Sequence, residues 1–207
     1  AKKQVAGDRF ADLIADVRKD STIKAVVLRV NSPGGSVVAS SKIKTELDLL
    51  RESVPVIASY GNYAASGGYW ISANTDKIFS NATTLTGSIG VFSMIPDVSG
   101  ALKNKLHVNV TTVNSNAHSD LYSLIKPLDA AETAYMQASV ENIYERFTSI
   151  VAEGRDMTVE AVDAIAQGRV WTGAEAEGIG LVDQIGTLTD ALDYAAISID
   201  GVTGIND

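Results

Sequence analysis

Two short stretches hold the residue types that acyl-transfer chemistry needs. Ser32-Pro33-Gly34-Gly35 follows one apolar run, and Ala65-Ser66-Gly67-Gly68 follows the next. Tandem glycines reach positive φ and admit close approach of a second backbone. A strand, a Gly-Gly turn and a helix N-terminus leave backbone N–H groups free to face an anion, which is what an oxyanion hole requires. Ser66 stands immediately before Gly67, at the expected helix start. A nucleophilic hydroxyl there would have its own or its neighbour's N–H beside the developing charge. Taken singly, each Gly-Gly pair is explained by turn chemistry and Ser66 by helix capping. The same strand-before, helix-after setting occurring twice favours a functional pair.

The elements that must position these turns follow from hydrophobic spacing. Val5 to Lys19 is amphipathic at helical period, with Phe10, Leu13, Ile14 and Val17 on one side. Ile23 to Val30 is short, β-branched and nearly all apolar, as suits a buried parallel strand. Ser36 to Arg51 reads as a helix, Val54 to Tyr60 as a strand, Gly61 to Ala65 as a turn, and Ser66 to Ala73 as the start of a helix. Strands are expected at Lys77 to Ser80, Gly87 to Met94 and Val108 to Val113, and a helix at Pro96 to Leu106. Asn114 to Ser123 is polar and irregular. Asp129 to Glu153 is the longest helical pattern, with Met136, Val140, Ile143, Tyr144, Phe147 and Val151 on one stripe; this stripe suits core or a subunit contact. Shorter helices follow at Thr158 to Ala166, capped by Thr158, at Gly173 to Gly180 and at Thr187 to Ala196. The rhythm implies an α/β fold with crossover helices, and no linker or composition break divides it.

Composition narrows the function. The 207-residue chain is 45% hydrophobic and 20% charged, as folded globular proteins are. It carries 25 Asp+Glu against 17 Lys+Arg, a net charge of −8, which argues against a nucleic-acid footprint. Zero cysteine excludes disulfides, a thiol nucleophile and Cys-ligated metal. Two histidines and no carboxylates clustered at ligand spacing give no expectation of a metal or cofactor. No apolar run approaches the ~18 residues of a membrane span, and no apolar leader follows Ala1-Lys2-Lys3-Gln4. The abrupt helical start reads as a fragment boundary.

Residues 24–40 (KAVVLRVNSPGGSVVAS), 60–73 (YGNYAASGGYWISA), 84–91 (TLTGSIGV) and 165–183 (IAQGRVWTGAEAEGIGLVD) resemble the signal peptide peptidase A (protease IV) family of the ClpP/crotonase superfamily. The resemblance spans roughly residues 7 to 195. It implies a single α/β domain over 1–207, with repeated β-β-α units, a largely parallel sheet and C-terminal helices. It also implies a serine endopeptidase of Ser/Lys dyad type that degrades hydrophobic peptides such as cleaved signal peptides. Carried over by position, Ser66 is the nucleophile, the N–H groups of Gly35 and Gly67 form the oxyanion hole, and Ser88 orients the general base. Ser88 equally suits a turn or strand end. The family further implies a homo-oligomer at the extracytoplasmic side of a bacterial inner membrane, anchored by a segment outside this chain.

The general base departs from the family pattern. A lysine base works when desolvation lowers its pKa. Short relatives carry that lysine in a polar stretch just before an Asp; here Asn114-Ser115-Asn116-Ala117-His118-Ser119-Asp120 places Ser119 there. Three explanations stand. This chain resembles the C-terminal half of a long two-domain member whose upstream homologous domain supplies the lysine. Alternatively Lys126, Lys105 or Lys103 folds back, although Lys126-Pro127 before a long helix reads more simply as a solvated loop. The third explanation is an inactive relative. A Ser/His/Asp arrangement is the other route to an activated serine. The ClpP-branch histidine is replaced by Gly90-Val91-Phe92, leaving His118 with Asp120 as an improvised base and His107 as structural.

A peptidase groove is expected near Val37, Tyr69, Ile89 and Phe92. The alternatives from other classes are a crotonase-type acyl-CoA enzyme, although the second turn offers Asn62, Tyr63 and Ser66 but no carboxylate, and a non-catalytic assembly domain.

Overall fold

The computed structural model describes residues 4–199. It divides into two compact units. One comprises the residues up to Gly90 together with those from Arg146 on; the other is Val91–Glu145. The Ala1-Lys2-Lys3 start, read above as carrying no leader, lies outside the described residues. In chain order the first unit holds α1 (Gly7–Lys19), β1 (Val26–Ser32), α2 (Val37–Arg51), β2 (Val56–Ala65), α3 (Gly67–Trp70), β3 (Lys77–Ser80) and β4 (Leu85–Gly87). The second holds α4 (Ser99–Lys105) and the beginning of α5 (Ala130–Arg155). The first unit resumes with the end of α5, then α6 (Val159–Ile165), β5 (Val170–Thr172), α7 (Gly173–Gly178), β6 (Gln184–Ile185) and α8 (Leu188–Ile197).

β2 organises the sheet. Its first half pairs in parallel with β1, from Val26↔Val56 to Val30↔Tyr60, and with β3 at Ile57–Ser59. Its last three residues pair in parallel with β4 in place of β3, and Ala64 pairs again with β1 at Ser32. β6 extends the sheet beyond β3, and β5 runs antiparallel on β4. Val56 to Gly61 are all buried, as a strand covered on both faces requires. Phe79 packs with Ile57 against Ala191 and Ala195 of α8. Each fully buried large apolar side chain here contributes about 1.5–3 kcal/mol. Arg155 ties the C-terminal segment to this core: its guanidinium bonds both oxygens of Asp183 (2.6 and 3.1 Å) and the Gly180 carbonyl (2.9 Å). Asp183 in turn accepts the Ile78 N–H at 2.7 Å.

Local signals place most helices. Ser36 Oγ accepts the Ala39 N–H at the start of α2, Thr158 caps α6, and Thr187 with Asp190 forms a capping box on α8. Three expectations fail and one holds in shortened form. Gly61 to Ala65 is not a turn but the continuation of β2, because β4 and the Asn31 side chain satisfy its backbone. Ser66 to Ala73 yields a helix of four residues, Gly67–Trp70. The strand expected at Gly87 to Met94 lies instead at Leu85–Gly87. Val108 to Val113 forms no strand among the described residues; Val108, Val110 and Val113 are exposed, and a β-branched run without a partner has nothing to pair with.

In the second unit, α5 begins with a reciprocal cap. The Glu132 N–H donates to Asp129 Oδ1 (2.8 Å), and the Asp129 N–H donates to Glu132 Oε2 (3.0 Å).

Candidate active site

Ser66 ends β2 and heads α3 with φ 51° and ψ −119°, a region non-glycine residues avoid. The strain is held from both sides. The Ser66 N–H donates to the Gly87 carbonyl at 2.9 Å, and its carbonyl accepts the Trp70 N–H at 2.8 Å. Its side chain makes no capping hydrogen bond, so the ordinary reason for a serine before a helix is absent. The hydroxyl belongs to a half-buried residue rather than a sealed one. Below it α3 is rigid: Gly68, Tyr69 and Trp70 are buried, the Tyr69 hydroxyl donates to the Leu181 carbonyl at 2.7 Å, and Trp70 packs on Phe147 at 4.8 Å between ring centroids. Burial drives the Tyr69 hydroxyl pKa far above its usual range, so it stays a neutral donor.

The first Gly-Gly turn lies against the second. Gly34 has φ 100°, and a Cβ on it would stand 2.7 Å from both the Gly67 nitrogen and Ser66 Cβ. A Cβ on Gly67 would stand 3.2 Å from the Gly35 nitrogen and 2.5 Å from Ser40 Oγ. The two backbones therefore touch where only glycine fits. Around Gly35 nothing would meet a Cβ within 4 Å, so that residue faces open space. Among the described residues, neither the Gly35 nor the Gly67 N–H has a hydrogen-bond partner. Four residues align too few peptide dipoles to act as a macrodipole, so any attraction for an anion comes from the individual N–H groups.

Ser88 follows Gly87, whose carbonyl holds Ser66; it too has positive φ, 49°, and its N–H donates to the Arg169 carbonyl at 2.7 Å. The structure thus brings the segments bearing Gly35, Ser66, Gly67 and Ser88 together at the C-terminal ends of β1, β2 and β4. Of the expected groove residues, Tyr69 and Ile89 are buried at 0% and 1% exposure and cannot line an open cleft. Phe92 belongs to the second unit. Tyr63 and Leu85, outside that expected groove set, pair in register on β2 and β4 and are both exposed. Their signal was hidden by the assignment of Gly61 to Ala65 as a turn.

The described lysines of this unit are engaged elsewhere: Lys19 with Asp16, Lys42 with Asp8, Lys44 with Asp48, Lys24 with the Ser21 carbonyl, and Lys77 over the Tyr194 ring.

The second unit gathers most of the other candidates. Lys126 is not a free solvated residue. Its ammonium lies 2.7 Å from Glu132 Oε1 and 2.9 Å from Asp120 Oδ1, and those bonds raise its pKa, the reverse of what a neutral amine base needs. His118 Nδ1 stands 3.2 Å from Glu132 and 3.6 Å from Asp129, so it faces those carboxylates and is not a lone loop histidine. His118, Asp129 and Glu132 place their ligand atoms within 4.8 Å of one another, a grouping the sequence spacing did not suggest. Glu132 is already committed to Lys126 and to the Asp129 N–H, and Asp129 to capping α5. Lys103 and Lys105 are exposed on α4, and His107 precedes no strand.

Comparison with known proteins fits this geometry. The fold is of the ClpP/crotonase type: the chain is similar to a mutant of ClpP1 from Listeria monocytogenes with TM-score 0.60 and 16% identity, covering 91% of this chain and 88% of that one. Residues 48–200 match the description "Peptidase family S49", and the chain belongs to that family. It is 46% identical over 193 residues to "Protease 4" of Salmonella typhi, covering 93% of this chain and 31% of that protein. It is 40% identical to "Putative signal peptide peptidase SppA" of Enterococcus faecium, covering 93% and 56%. With "Serine protease SPPA, chloroplastic" of Arabidopsis thaliana it shares 35% identity, over 92% of this chain and 28% of the other. The chain therefore spans between just over a quarter and just over half the length of these relatives.

Proposed function

We propose that this chain is the nucleophile-bearing part of a serine peptidase acting on apolar peptides, cleaved signal peptides among them. Ser66 Oγ attacks the scissile carbonyl. The Gly35 and Gly67 N–H groups receive the oxyanion, an acyl-enzyme forms as the amine leaves, and water releases the acid. The observation that carries this reading is the strained Ser66, with no capping duty, beside two unpartnered amides. Ser88 is the hydroxyl that orients the base. The base itself is a lysine from another domain of the whole protein. The engagement of the first unit's described lysines and of Lys126 supports that, as does the length of the Protease 4 relative beyond the matched part. The name of the Enterococcus relative and the exposed Tyr63–Leu85 pair support apolar peptide substrates.

A homo-oligomer is part of the same proposal. Phe92, Met94 and Val113 of the second unit are 89%, 83% and 96% exposed, and large apolar side chains in that state favour a covering surface. The site of action is the extracytoplasmic face of a bacterial inner membrane. No described helix is long and apolar enough to cross a membrane.

The test is cleavage of an apolar peptide and labelling by a fluorophosphonate, using the full-length protein and its Ser66→Ala variant. Cleavage is expected to fall about 10³-fold or more, with no label at the substituted position. Undiminished cleavage by the variant would overturn the assignment.

A further inference from the structure

The alignment of the two Gly-Gly turns depends on a slip in the β1–β2 ladder. From Val26↔Val56 to Val30↔Tyr60 the strands advance in step, but the next pair is Ser32↔Ala64. Between those pairs β1 supplies Asn31 alone, while β2 supplies Gly61, Asn62 and Tyr63. The slip is two residues, about 6.6 Å at ~3.3 Å per residue. Because it is even, every later side chain keeps its face. Without it, Gly34 would stand level with Ala64. With it, Gly34 stands against Ser66 and the Gly67 nitrogen.

A slip leaves backbone groups unpaired, and here side chains take them. Asn31 Oδ1 accepts the N–H groups of both Asn62 (3.1 Å) and Tyr63 (3.2 Å). The Tyr60 carbonyl accepts from Arg29 Nη1, that of Gly61 from Thr84 Oγ1 and that of Ala64 from Thr86 Oγ1, at 2.6–2.7 Å. Gly61 makes room: a Cβ there would lie 2.9 Å from Asn31 Cγ and 3.0 Å from its Oδ1. The same bulge is where β2 leaves β3 and takes up β4.

We propose that Asn31 is a positioning residue: its amide oxygen fixes the two-residue bulge of β2 and so sets the Gly34-Gly35 turn level with Ser66-Gly67. This rests on the peptidase reading above for its effect on catalysis, but not for its effect on register. Asn31 is exposed, so overall stability depends little on it, whereas the spacing of the two turns depends on it directly. A misplacement near 1 Å in such a site lowers reactivity about 10²-fold.

The experiment compares full-length wild type, Asn31→Leu, which keeps the shape and loses the acceptor, and Asn31→Asp, which keeps it. NMR reads the contact between Gly34 and the Gly67 amide; fluorophosphonate labelling of Ser66 and peptide kinetics read function. The contact is expected to be lost in Asn31→Leu and kept in Asn31→Asp. Labelling and kcat should fall about 10²-fold in the first, with KM little changed, and recover in the second. Retention of the contact in Asn31→Leu overturns the proposal, as does its loss with labelling intact. If wild-type Ser66 takes no label, the peptidase reading fails, and the NMR contact still decides the register.

Discussion

The segment around Ser66 and the segment around Glu132 treat polar groups in opposite ways. At Ser66 the backbone is strained, the hydroxyl caps nothing, and two neighbouring amides lack partners. At Glu132, a carboxylate only 2% exposed is bonded by the Lys126 ammonium and the Asp129 N–H. Unpaired polar groups cost stability, so a fold that keeps them must hold them with its surroundings. Here that support is the Gly87 carbonyl, the buried α3 and the glycine contact beneath. A paired cluster instead contributes order and offers little to a substrate. The contrast explains why Lys126 is poorly suited to take a proton.

The sharpest way to break the contrast is to fill the glycine contact. Gly34→Ala places a methyl 2.7 Å from the Gly67 nitrogen at φ 100°, and backbone strain alone costs roughly 1–3 kcal/mol. Ser66 labelling should be lost with a clear fall in Tm. Gly35→Ala, at φ 158°, brings backbone strain but meets nothing within 4 Å, so without the clash its fall in Tm should be the smaller of the two. Equal Tm values for the two variants would show that the packed turn is not what holds Ser66.

The Glu132 cluster should respond to pH instead. Its carboxyl is held below the ordinary range by Lys126 first and then by the Asp129 N–H; that of Asp120 is lowered by Lys126 and then Asn114. A carboxyl with a depressed folded value stabilises above its unfolded pKa, about 4, and loses that contribution as pH falls through the folded value. Lys126, whose value is raised, contributes below its unfolded pKa of about 10.4 and ceases to above the folded one. Amide protection across 118–134, measured relative to the intrinsic exchange rate at each pH, should therefore fall in acid below about pH 4. In Lys126→Met it should already be lower at neutral pH, with Ser66 labelling retained. Identical exchange in variant and wild type would remove the paired cluster from the account.

What was legible in the sequence follows the same division. Helices with local caps and periodicity, such as α2, α6 and α8, and the short apolar β3, could be read because their causes lie within a few residues. The continuation of β2 through Gly61-Asn62-Tyr63 could not: it depends on Asn31, Thr84 and Thr86, which are remote in sequence, while glycine and asparagine read locally as a turn. The Gly-Gly turns were visible as motifs, but the strain at Ser66 was not, since serine seldom adopts positive φ. The Glu132 cluster was missed because Asp120, Lys126 and Glu132 follow no ligand or helical spacing and meet only through a loop.

The smallest expected effect separates two residues that cap helices. Ser36 behaves as its position suggests, accepting the Ala39 N–H, but at 3.4 Å the bond is long and the site exposed. Ser36→Ala should therefore cost only about 0.5 kcal/mol, the low end for a cap. Thr187 is the reference: with Asp190 it makes a reciprocal cap, Thr187 Oγ1 accepting the Asp190 N–H at 3.3 Å and Asp190 accepting the Thr187 N–H. Thr187→Ala should cost about 1 kcal/mol. Urea denaturation resolves the difference if both variants keep the wild-type slope. A loss at Ser36 matching or exceeding that at Thr187 would mean that Ser36 does more than cap α2. The Gly34-Gly35 turn would then be held partly from its own helix, and not by Gly67 and Ser66 alone.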